Sequence, residues 1–542
     1  MILTVIFIFG GILLGAGVML SPAWVTKQPR IALAGTLALA LVIGGAVFWA
    51  YLSGWNTLVV DYMLFALVTS IFLSGTLSVG QSRAEQKGEV LPDSEQGWTG
   101  PEDLLFFALI ALILLLPLLL WNVPFGNADT AYMALAAKLG GSFDSFAPFQ
   151  PDVQFAFPPG FTAISAYISK QLNVTIQLTQ AGIGAVLAFM SVWLAYDFGS
   201  EVRHKRLGRA LAIAMLLGSG LLTTYLRSEF PALIGILFAL GFTTFAYRYQ
   251  RDGHWLDLIA AGLLLGAIVI VHPTMTLVTA AAYALWLGLM WFGEAATRPT
   301  PRRWLLMVFV IPVIALAAAA PYWLNLINSS NPGYSEIFTE TGIASILAYH
   351  TLWMLIPAVI GFVVALQQRS QIGLMIAAWL VAATPFALNG AGYTLIIPLT
   401  AAGGIGLLWL WENVLIPRVP ANMQTHTYGV VAMIVVVLVW GFSAASSLPT
   451  APLTGDQLAA LDWIKQNTEP DAVITNLEEN AGWTMILTER QSDASPYDVR
   501  QNCTDCEAVS PDYVITGIDS DLPGEPVFQA GAIQVYQLKD QP

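Results

Sequence analysis

The chain has 542 residues, of which 56% are hydrophobic and only 11% are charged, a composition that excludes an ordinary soluble globular protein and makes lipid its main solvent. The net charge is −13, and the segment from Leu448 onward alone carries 16 Asp and Glu against 4 Lys and Arg. Concentrated Lys and Arg bind phosphate backbones, so this balance excludes nucleic acid as a partner.

Apolar runs long enough to cross a membrane recur along the chain. Because a helix of about 17 to 25 apolar residues crosses the roughly 30 Å hydrocarbon core, we predict a polytopic α-helical membrane protein with about fourteen transmembrane helices. The predicted spans are 2–20, 31–53, 56–80, 103–121, 173–198, 210–226, 230–247, 255–271, 275–293, 304–324, 350–366, 372–388, 392–411 and 428–447.

The basic residues of the short loops set the predicted orientation, because Lys and Arg near a membrane stay on its cytoplasmic side. Apart from Lys138, Lys170 and Arg227, they fall in alternate loops, which we predict to be cytoplasmic: Lys27 and Arg30, Arg83 and Lys87, Arg203 to Arg209, Arg248 and Arg251, Arg298, Arg302 and Arg303, Arg369, and Arg418. The N-terminus and the acidic tail are then extracytoplasmic. No organelle-targeting signal is recognised, so we expect a multi-pass protein of a prokaryotic plasma membrane.

The spans divide the chain into segments. Residues 1–80 hold three helices, and residues 81–102, which are polar and rich in Glu and Gly, are predicted to be a flexible cytoplasmic linker. Residues 103–447 form the larger transmembrane domain, with a long first external loop at 122–172. The sequence contains no visible internal repeat of the kind found in many secondary transporters.

The tail, residues 448–542, is predicted to be a small acidic α/β domain on the extracytoplasmic side. Its predicted elements are helices at 456–467 and 480–488 and strands at 471–475, 512–518 and 531–538. Cys503 and Cys506 form a single C-x-x-C, whereas a zinc ribbon requires a second pair. The two are disulfide candidates, with a redox-active pair as the alternative.

The first external loop is too long and too patterned for a plain connector. Residues 129–139 predict a short amphipathic helix lying in the membrane interface, with Asp129 as its N-cap and Lys138 reaching to the headgroups. Pro158 and Pro159 precede a second amphipathic segment that leads into the fifth span. Asp129 has two interpretations that the spacing leaves open: a helix cap, worth about 1 kcal/mol, or a carboxylate at the mouth of a cavity.

These residues resemble the GT-C glycosyltransferases, which include protein O-mannosyltransferases and the aminoarabinose transferases of lipid A. The resemblance rests on a membrane helix followed by an external Asp129, on Tyr132 three residues later in the next helix, and on Phe157-Pro158-Pro159 before an amphipathic helix. It extends from about Asp103 to the C-terminus, because LAALDWIKQNTEPDAVITN and FQAGAIQVYQL look like parts of the small external domain of such proteins.

The resemblance implies that Asp129 is the catalytic residue, acting as general base on an acceptor hydroxyl or as a metal ligand. Many members have two acidic residues at this point, whereas this chain reads Asn127-Ala128-Asp129. One carboxylate and one amide hold a hard cation poorly, so Mg²⁺ or Mn²⁺ is not favoured and no metal ligand is predicted. The donor of these enzymes is a polyprenyl-phosphate sugar, and in some relatives a Lys before the Pro-Pro pair is directed at the lipid phosphate. In this chain Ala156-Phe157 stand there, so the donor phosphate needs another cation.

Arg227 and His272 are the candidates for binding that phosphate. Arg227 is the sole basic residue of its predicted external loop, and a guanidinium suits bidentate phosphate binding. His272 interrupts two apolar spans near the external face. Each residue has a plainer interpretation as an interfacial anchor, and Arg227 has a further one as an ion-pair partner of Glu229. Further candidate substrate-binding residues are Tyr132, Glu229, Asp144, Asp152 and Tyr393, although the two Asp also suit a solvated loop.

These features predict a membrane enzyme that moves a sugar from a polyprenyl-phosphate donor to an acceptor on the extracytoplasmic face, with inversion at the sugar. The acceptor, whether lipid, glycan or protein, is undefined, and membrane lipids are the other expected partners. A catalytically silent scaffold of the same architecture is the main alternative. A lipid or solute transporter is disfavoured, because the spans carry few charged residues and show no repeat symmetry.

Overall fold

The computed structural model contains the whole chain and describes it over most of its length. The described residues are 1–20, 30–70, 101–120, 128–143, 145–146, 148–154, 157–218, 220–328, 341–418, 435, 438–439, 453–478, 481–492, 511–518, 522 and 525–538. The side chains of Asp129 and Asp152 are outside this description.

Most of the described chain is a bundle of apolar helices. Among the described residues, eight helices are long and apolar enough to cross a membrane, or nine if one bent pair counts as a single span. The predicted fold class, a polytopic helical membrane protein, is confirmed. The helices are α1 (Ile2–Leu20), α2 (Ile31–Ser53), α3 (Thr57–Ser70), α4 (Pro101–Leu120), α5 (Asp129–Lys138), α6 (Gly160–Leu172), α7 (Ile176–Val202), α8 (Lys205–Leu217), α9 (Leu221–Leu226), α10 (Phe230–Asp252), α11 (Trp255–Val269), α12 (Pro273–Leu289), α13 (Pro301–Ala318), α14 (Ala320–Asn328), α15 (Ile343–Tyr349), α16 (Leu352–Gln367), α17 (Gln371–Leu388) and α18 (Ile396–Leu410).

Two predicted single spans are broken into two helices. The span 210–226 is split between α8 and α9 because Gly220 has a φ of 88°, a conformation that disfavours any residue with a side chain. The span 304–324 is split after α13, where Pro321 lacks the N–H that would continue the helix.

A third change concerns the predicted span 350–366, which corresponds to α16. The short helix α15 precedes α16, and the two meet at an angle of 99°. Most of the predicted last span, 428–447, lies outside the described residues.

Small residues allow the helices around the candidate site to approach closely. A side chain at Gly361 of α16 would collide with the backbone of Ala402 in α18, and one at Gly406 would collide with Pro357. Close backbone approach at small residues is a main source of helix association in lipid, where apolar side chains gain little by leaving the hydrocarbon. The position of α16 beside α18 therefore depends on these glycines.

Ion pairs gather at one end of the bundle. Glu201, at the end of α7, contacts both Arg30 at 3.3 Å and Arg251 at 2.6 Å, and Asp103 at the start of α4 contacts Arg209 at 2.7 Å. These residues come from the loops that were predicted to share one side of the membrane. We call this the basic end, and the opposite end, which carries α5, the domain end.

The ion pair between Arg248 and Asp257 yields a stability prediction. Both side chains are 2% exposed, and their atoms lie 3.3 Å apart. Replacing Asp257 by Ala leaves the guanidinium without its carboxylate partner, which we expect to cost about 3–5 kcal/mol and to lower the melting temperature clearly. The matched control is Asp252→Ala, because Asp252 is 28% exposed and Arg251 keeps Glu201. Equal losses in the two variants, measured by thermal unfolding in detergent, would contradict this.

The tail contains the predicted α/β domain. Two helices, α19 (Gly455–Asn467) and α20 (Thr484–Thr488), accompany a five-stranded sheet. Its strands are β3 (Val473–Asn476), β4 (Gln491–Ser492), β5 (Tyr513–Gly517), β6 (Phe528–Ala530) and β7 (Ile533–Gln537), and their order in the sheet is β4-β3-β5-β7-β6. The strands β3, β4 and β5 are parallel, whereas β7 is antiparallel to both β5 and β6. The two remaining strands, β1 (Ser145–Phe146) and β2 (Gln150–Gln154), form a separate hairpin in the first external loop. Cys503 and Cys506 lie outside the described residues.

The tail domain packs directly on α5. One hydrophobic cluster joins Tyr132 and Leu135 of α5 to Ile464, Met485 and Ile486 of the tail domain. Every residue of α5 from position 131 to position 137 is buried. The prediction that one face of this helix is exposed to the membrane is therefore corrected: residues 131–137 of α5 are enclosed by protein.

Lys138 also lies at this junction, where the charges of Glu489 and Lys465 of the tail domain act on it. It is half-buried, and burial lowers the pKa of its ammonium group below the ordinary value of 10.5, an effect that Glu489 partly opposes. The charged form is therefore destabilised in the folded protein at neutral pH, and this loss disappears as the pH rises past the ordinary pKa.

The lowered pKa of Lys138 predicts a pH-dependent stability difference. We expect Lys138→Met to melt higher than the wild type at neutral pH, because Met carries no charge to desolvate. The difference should shrink as the pH approaches and passes 10.5, where the folded and unfolded wild type are both neutral at this position. Thermal unfolding of both proteins over this range measures it, and a difference that does not change with pH would refute the assignment.

Candidate functional site

Asp129 is the first residue of α5, and Ala128 occupies the N-cap position. The predicted capping role of Asp129 is therefore wrong by one residue. The start of the helix is fixed from α7, where the buried Gln180 donates a hydrogen bond from Nε2 to the carbonyl of Thr130 at 3.0 Å. This bond determines where the backbone of the first turn of α5 lies.

Arg227 lies in the tight turn between α9 and α10. Ser228, the next residue, has a φ of 59°, and Glu229 immediately precedes α10. The guanidinium of Arg227 lies over the ring of Tyr349, 4.7 Å from its centre, within the range of a cation–π contact. The hydroxyl of Tyr349 donates a hydrogen bond to Oε1 of Glu229 at 2.5 Å. Tyr349 therefore holds both charged side chains of the turn.

Helix α7 connects this turn to α5. Gly184 lies four residues after Gln180, so the two occupy the same face of α7 about one turn, or roughly 6 Å, apart. A side chain at Gly184 would collide with Phe230, and Tyr225 is also in contact range. These two aromatic residues flank the turn of Arg227. The start of α5 and the Arg227 turn thus lie near each other on one face of α7.

A row of aromatic rings leads from Arg227 to His272. The ring of Tyr349 lies 6.1 Å from that of Tyr393, which in turn lies 5.5 Å from the His272 ring in an edge-on arrangement. Tyr393 and His272 are 2% and 4% exposed. The structure therefore brings together three residues that the sequence had singled out separately: Arg227, His272 and Tyr393.

The position of His272 before α12 determines the role of its ring nitrogens. Its Nδ1 accepts a hydrogen bond from the backbone N–H of Met275 at 3.2 Å and so caps the helix. A nitrogen that accepts a hydrogen bond carries no proton, which assigns the proton of the neutral ring to Nε2. His272 is thus arranged to donate a hydrogen bond from Nε2.

The Pro158–Pro159 segment precedes α6, whose first two residues contact the segments next to His272 and Arg227. Gly160, the first residue of α6, donates a backbone hydrogen bond to the carbonyl of Ile270 at 2.7 Å. The next residue, Phe161, stacks on Phe230 with ring centres 5.8 Å apart. The start of α6 is therefore fixed against both the His272 turn and the helix that follows Arg227.

Tyr349 is the residue that the sequence analysis missed. It ends α15, and the bend after it is stabilised by His350, whose Nε2 lies 2.8 Å from the carbonyl of Gly392. A side chain at Gly392 would collide with the Tyr349 ring. The Tyr349-His350 pair between two apolar stretches was the available signal, since polar residues at such depth are functional by default.

The remaining predicted site residues have different positions. Tyr132 has no exposed surface and lies 6.3 Å from the ring of Phe149, which makes it a packing residue in this conformation. Asp144 lies outside the described residues, and Asp152 is in β2. Among the side chains that the structure describes, no three His, Cys, Asp or Glu are placed to hold a metal ion.

Several solved structures share this architecture at low sequence identity. ArnT from Cupriavidus metallidurans bound to undecaprenyl phosphate is 13% identical, with a TM-score of 0.56 over 81% of this chain and 98% of that one. ArnT in the apo state gives a TM-score of 0.53 over 80% and 97% at the same identity. The apo oligosaccharyltransferase of Archaeoglobus fulgidus is 12% identical, with a TM-score of 0.50 over 77% and 69%. These proteins are GT-C membrane glycosyltransferases. This chain has the GT-C fold.

The GT-C fold accounts for nearly the whole ArnT chain, so the likeness is one of complete architectures rather than of a few shared helices. No protein-family model matches the sequence, and no curated protein matches it. The GT-C fold that the sequence resemblance implied is therefore confirmed by the likeness to solved structures alone.

Proposed function

We propose that this protein is a membrane glycosyltransferase that moves a sugar from a polyprenyl-phosphate donor to an acceptor hydroxyl. The proposal is supported by the row of contacts that leads from Arg227 to His272 through Tyr349 and Tyr393. It is also supported by α7, which contacts the start of α5 through Gln180 and the helices on both sides of the Arg227 turn at Gly184. The ArnT structure with undecaprenyl phosphate supports a lipid phosphate as the donor group.

The chemistry assigned to the site needs one cation, one neutral hydrogen-bond donor and one base. The Arg227 guanidinium binds the donor phosphate as the cation, and the Nε2–H of His272 donates a hydrogen bond to it. Asp129 accepts the proton of the acceptor hydroxyl as its oxygen bonds to C1 of the sugar. The bond from C1 to the phosphate oxygen breaks, and polyprenyl phosphate leaves with the electron pair. Attack from the face opposite the leaving group inverts C1.

Tyr349 acts as a positioning residue in this scheme. Its ring supports the Arg227 guanidinium, and its hydroxyl donates a hydrogen bond to the Glu229 carboxylate, so both charged side chains of the turn are held in place. A pre-positioned guanidinium loses less side-chain entropy when phosphate arrives.

The proposed orientation follows from the distribution of basic residues. Arg30, Arg251 and Arg303 lie at the basic end, which the positive-inside rule places in the cytoplasm. The domain end, with α5, the tail domain and the candidate site, is then extracytoplasmic. Polyprenyl donors reach it laterally from the bilayer. No divalent metal is required by this scheme.

A donor panel tests the proposal. Purified full-length protein is incubated with radiolabelled polyprenyl-phosphate sugars and a cell-envelope extract as acceptor, with and without EDTA. We expect release of free polyprenyl phosphate together with transfer of label, unaffected by EDTA. Absence of both transfer and donor binding across the panel would favour a catalytically silent scaffold, which the lone acidic residue in Asn127-Ala128-Asp129 also suits.

A further inference from the structure

A large cavity opens at the basic end, far from the candidate site. Its volume is about 750 Å³, and it lies between the ends of α7, α10, α16 and α18 and the starts of α13 and α17. The candidate site lies at the other ends of the same helices, because α10 runs from Glu229 at the domain end to Asp252 at the basic end. Its 23 residues span roughly 35 Å at 1.5 Å per residue. The cavity is therefore a separate place in the molecule.

Positive charge dominates the cavity wall. Four arginines line it, whereas Glu412 is the one acidic residue among its described lining side chains; the four are Arg203, Arg251, Arg298 and Arg303. Such a wall attracts an anion, and a guanidinium matches a phosphate group in particular.

The partners of these arginines leave much of that charge available. Arg251 is paired with Glu201 and Asp252, so it contributes little net charge. Arg303 donates to the backbone carbonyls of Arg251 and Asp252, at 2.9 and 3.1 Å, and Arg298 donates to that of Gly293 at 2.9 Å. Carbonyls orient a guanidinium without cancelling its charge. Arg298 and Arg303 are thus held in place as cations.

Part of the cavity wall is apolar. This apolar wall is formed by Val364 and Ala365 of α16 and by Ile405 and Leu408 of α18. A cavity lined by both cations and aliphatic side chains matches an amphiphile rather than a fully hydrated ion. Gln368 and Ser370 also line the cavity and add hydrogen-bonding groups.

We propose that this cavity binds the phosphate group of an anionic molecule at the basic end, and that the apolar wall receives an acyl chain. The shared chemistry is a phosphate ester, which a lipid headgroup or a soluble phosphate ester both carry. Arg203 and Arg298 supply the cations at its rim, and Arg303 supplies the one beside α10. The inference does not depend on the proposed transfer reaction, since it concerns the other end of the bundle.

Native mass spectrometry of the delipidated full-length protein tests this. Phosphatidylglycerol and diacylglycerol with the same acyl chains are titrated against the wild type, Arg203→Gln/Arg298→Gln, and Arg203→Lys/Arg298→Lys. Arg302→Gln is the matched control, because Arg302 is an exposed arginine beside Arg303 that does not line the cavity. A parallel series adds glycerol 3-phosphate as a soluble competitor, and melting temperatures report folding.

We expect the wild type to prefer phosphatidylglycerol, and the double Gln variant to bind it roughly 30-fold more weakly, at about 1 kcal/mol for each arginine. The double Lys variant and Arg302→Gln should retain most of the binding. Competition by glycerol 3-phosphate at concentrations matching the lipid would identify a soluble ester as the source of the phosphate group and would overturn the assignment of the apolar wall to an acyl chain. Equal binding of the two lipids by the wild type, or equal phosphatidylglycerol binding by the Gln and Lys variants, would overturn the proposal.

Discussion

Replacing Asp129 with Asn is expected to lower the turnover of sugar transfer by roughly 10² to 10⁴, because the acceptor hydroxyl loses its general base. Asn has nearly the same shape as Asp, so the first turn of α5 and its contact with Gln180 should persist. Donor binding should therefore stay close to that of the wild type. The measurement is the initial rate of transfer at saturating donor, together with the affinity for undecaprenyl phosphate.

The control for this variant is Asp462→Asn. Asp462 is an exposed carboxylate on α19 of the tail domain and lies in no part of the candidate site. It should leave both turnover and donor affinity unchanged. If Asp129→Asn transfers sugar as fast as Asp462→Asn does, the assignment of Asp129 as the base is wrong.

Removal of the Arg227 guanidinium is the second large effect. A charge-assisted hydrogen bond contributes about 1.5–3 kcal/mol, so Arg227→Gln should lower kcat/KM for the donor by roughly 10- to 100-fold. Arg227→Lys should recover part of the loss, because it restores the charge without the bidentate geometry. Tyr349→Phe keeps the ring under the guanidinium but loses the bond to Glu229, and its loss should be smaller than that of Arg227→Gln.

Lys170→Gln provides the comparison for these variants. Lys170 is an exposed cation near the end of α6 and contributes no described contact to the candidate site. Lys170→Gln removes one positive charge, as Arg227→Gln does, and it should leave kcat/KM for the donor unchanged. A similar loss for Lys170→Gln and Arg227→Gln would mean that general electrostatics, rather than a phosphate contact, attracts the donor.

The membrane architecture was predictable because its signals are local. Each long apolar run specifies one span, and the basic residues in the loops show which helix ends lie on the same side of the membrane. The helices and the basic end could therefore be predicted from the sequence. Breaks inside apolar runs were harder to predict. The kink at Gly220 depends on one backbone conformation, and the bend between α15 and α16 depends on a bond between His350 and Gly392, 42 residues apart.

The misplacement of α5 has a physical reason. Its sequence, DTAYMALAAK, is apolar on nearly every face, a pattern typical of a fully buried helix, and the interpretation as an amphipathic interfacial helix used only one face. What buries it is a domain more than 300 residues later, anchored by Met485 and Ile486. A single sequence carries no direct signal for such a pairing.

The candidate site was predictable only in part, for the same reason. Arg227 and His272 stood out because each is a polar residue in apolar surroundings. Tyr349 contacts Glu229, which lies 120 positions earlier in the chain, and a tyrosine at the end of an apolar stretch is ordinarily an interfacial anchor. Only the fold reveals that Tyr349 lies between Arg227 and Tyr393, whose ring is next to that of His272.

Photo-crosslinking of a polyprenyl phosphate with a reactive group next to its phosphate tests the central claim most directly. The label is mapped by mass spectrometry on full-length protein in lipid nanodiscs. We predict labelling at the turn around Arg227, at the bend containing Tyr349 and around Tyr393, and loss of this labelling in Arg227→Gln. Labelling confined to the basic end, or labelling at the domain end that is unchanged in Arg227→Gln, would contradict the account.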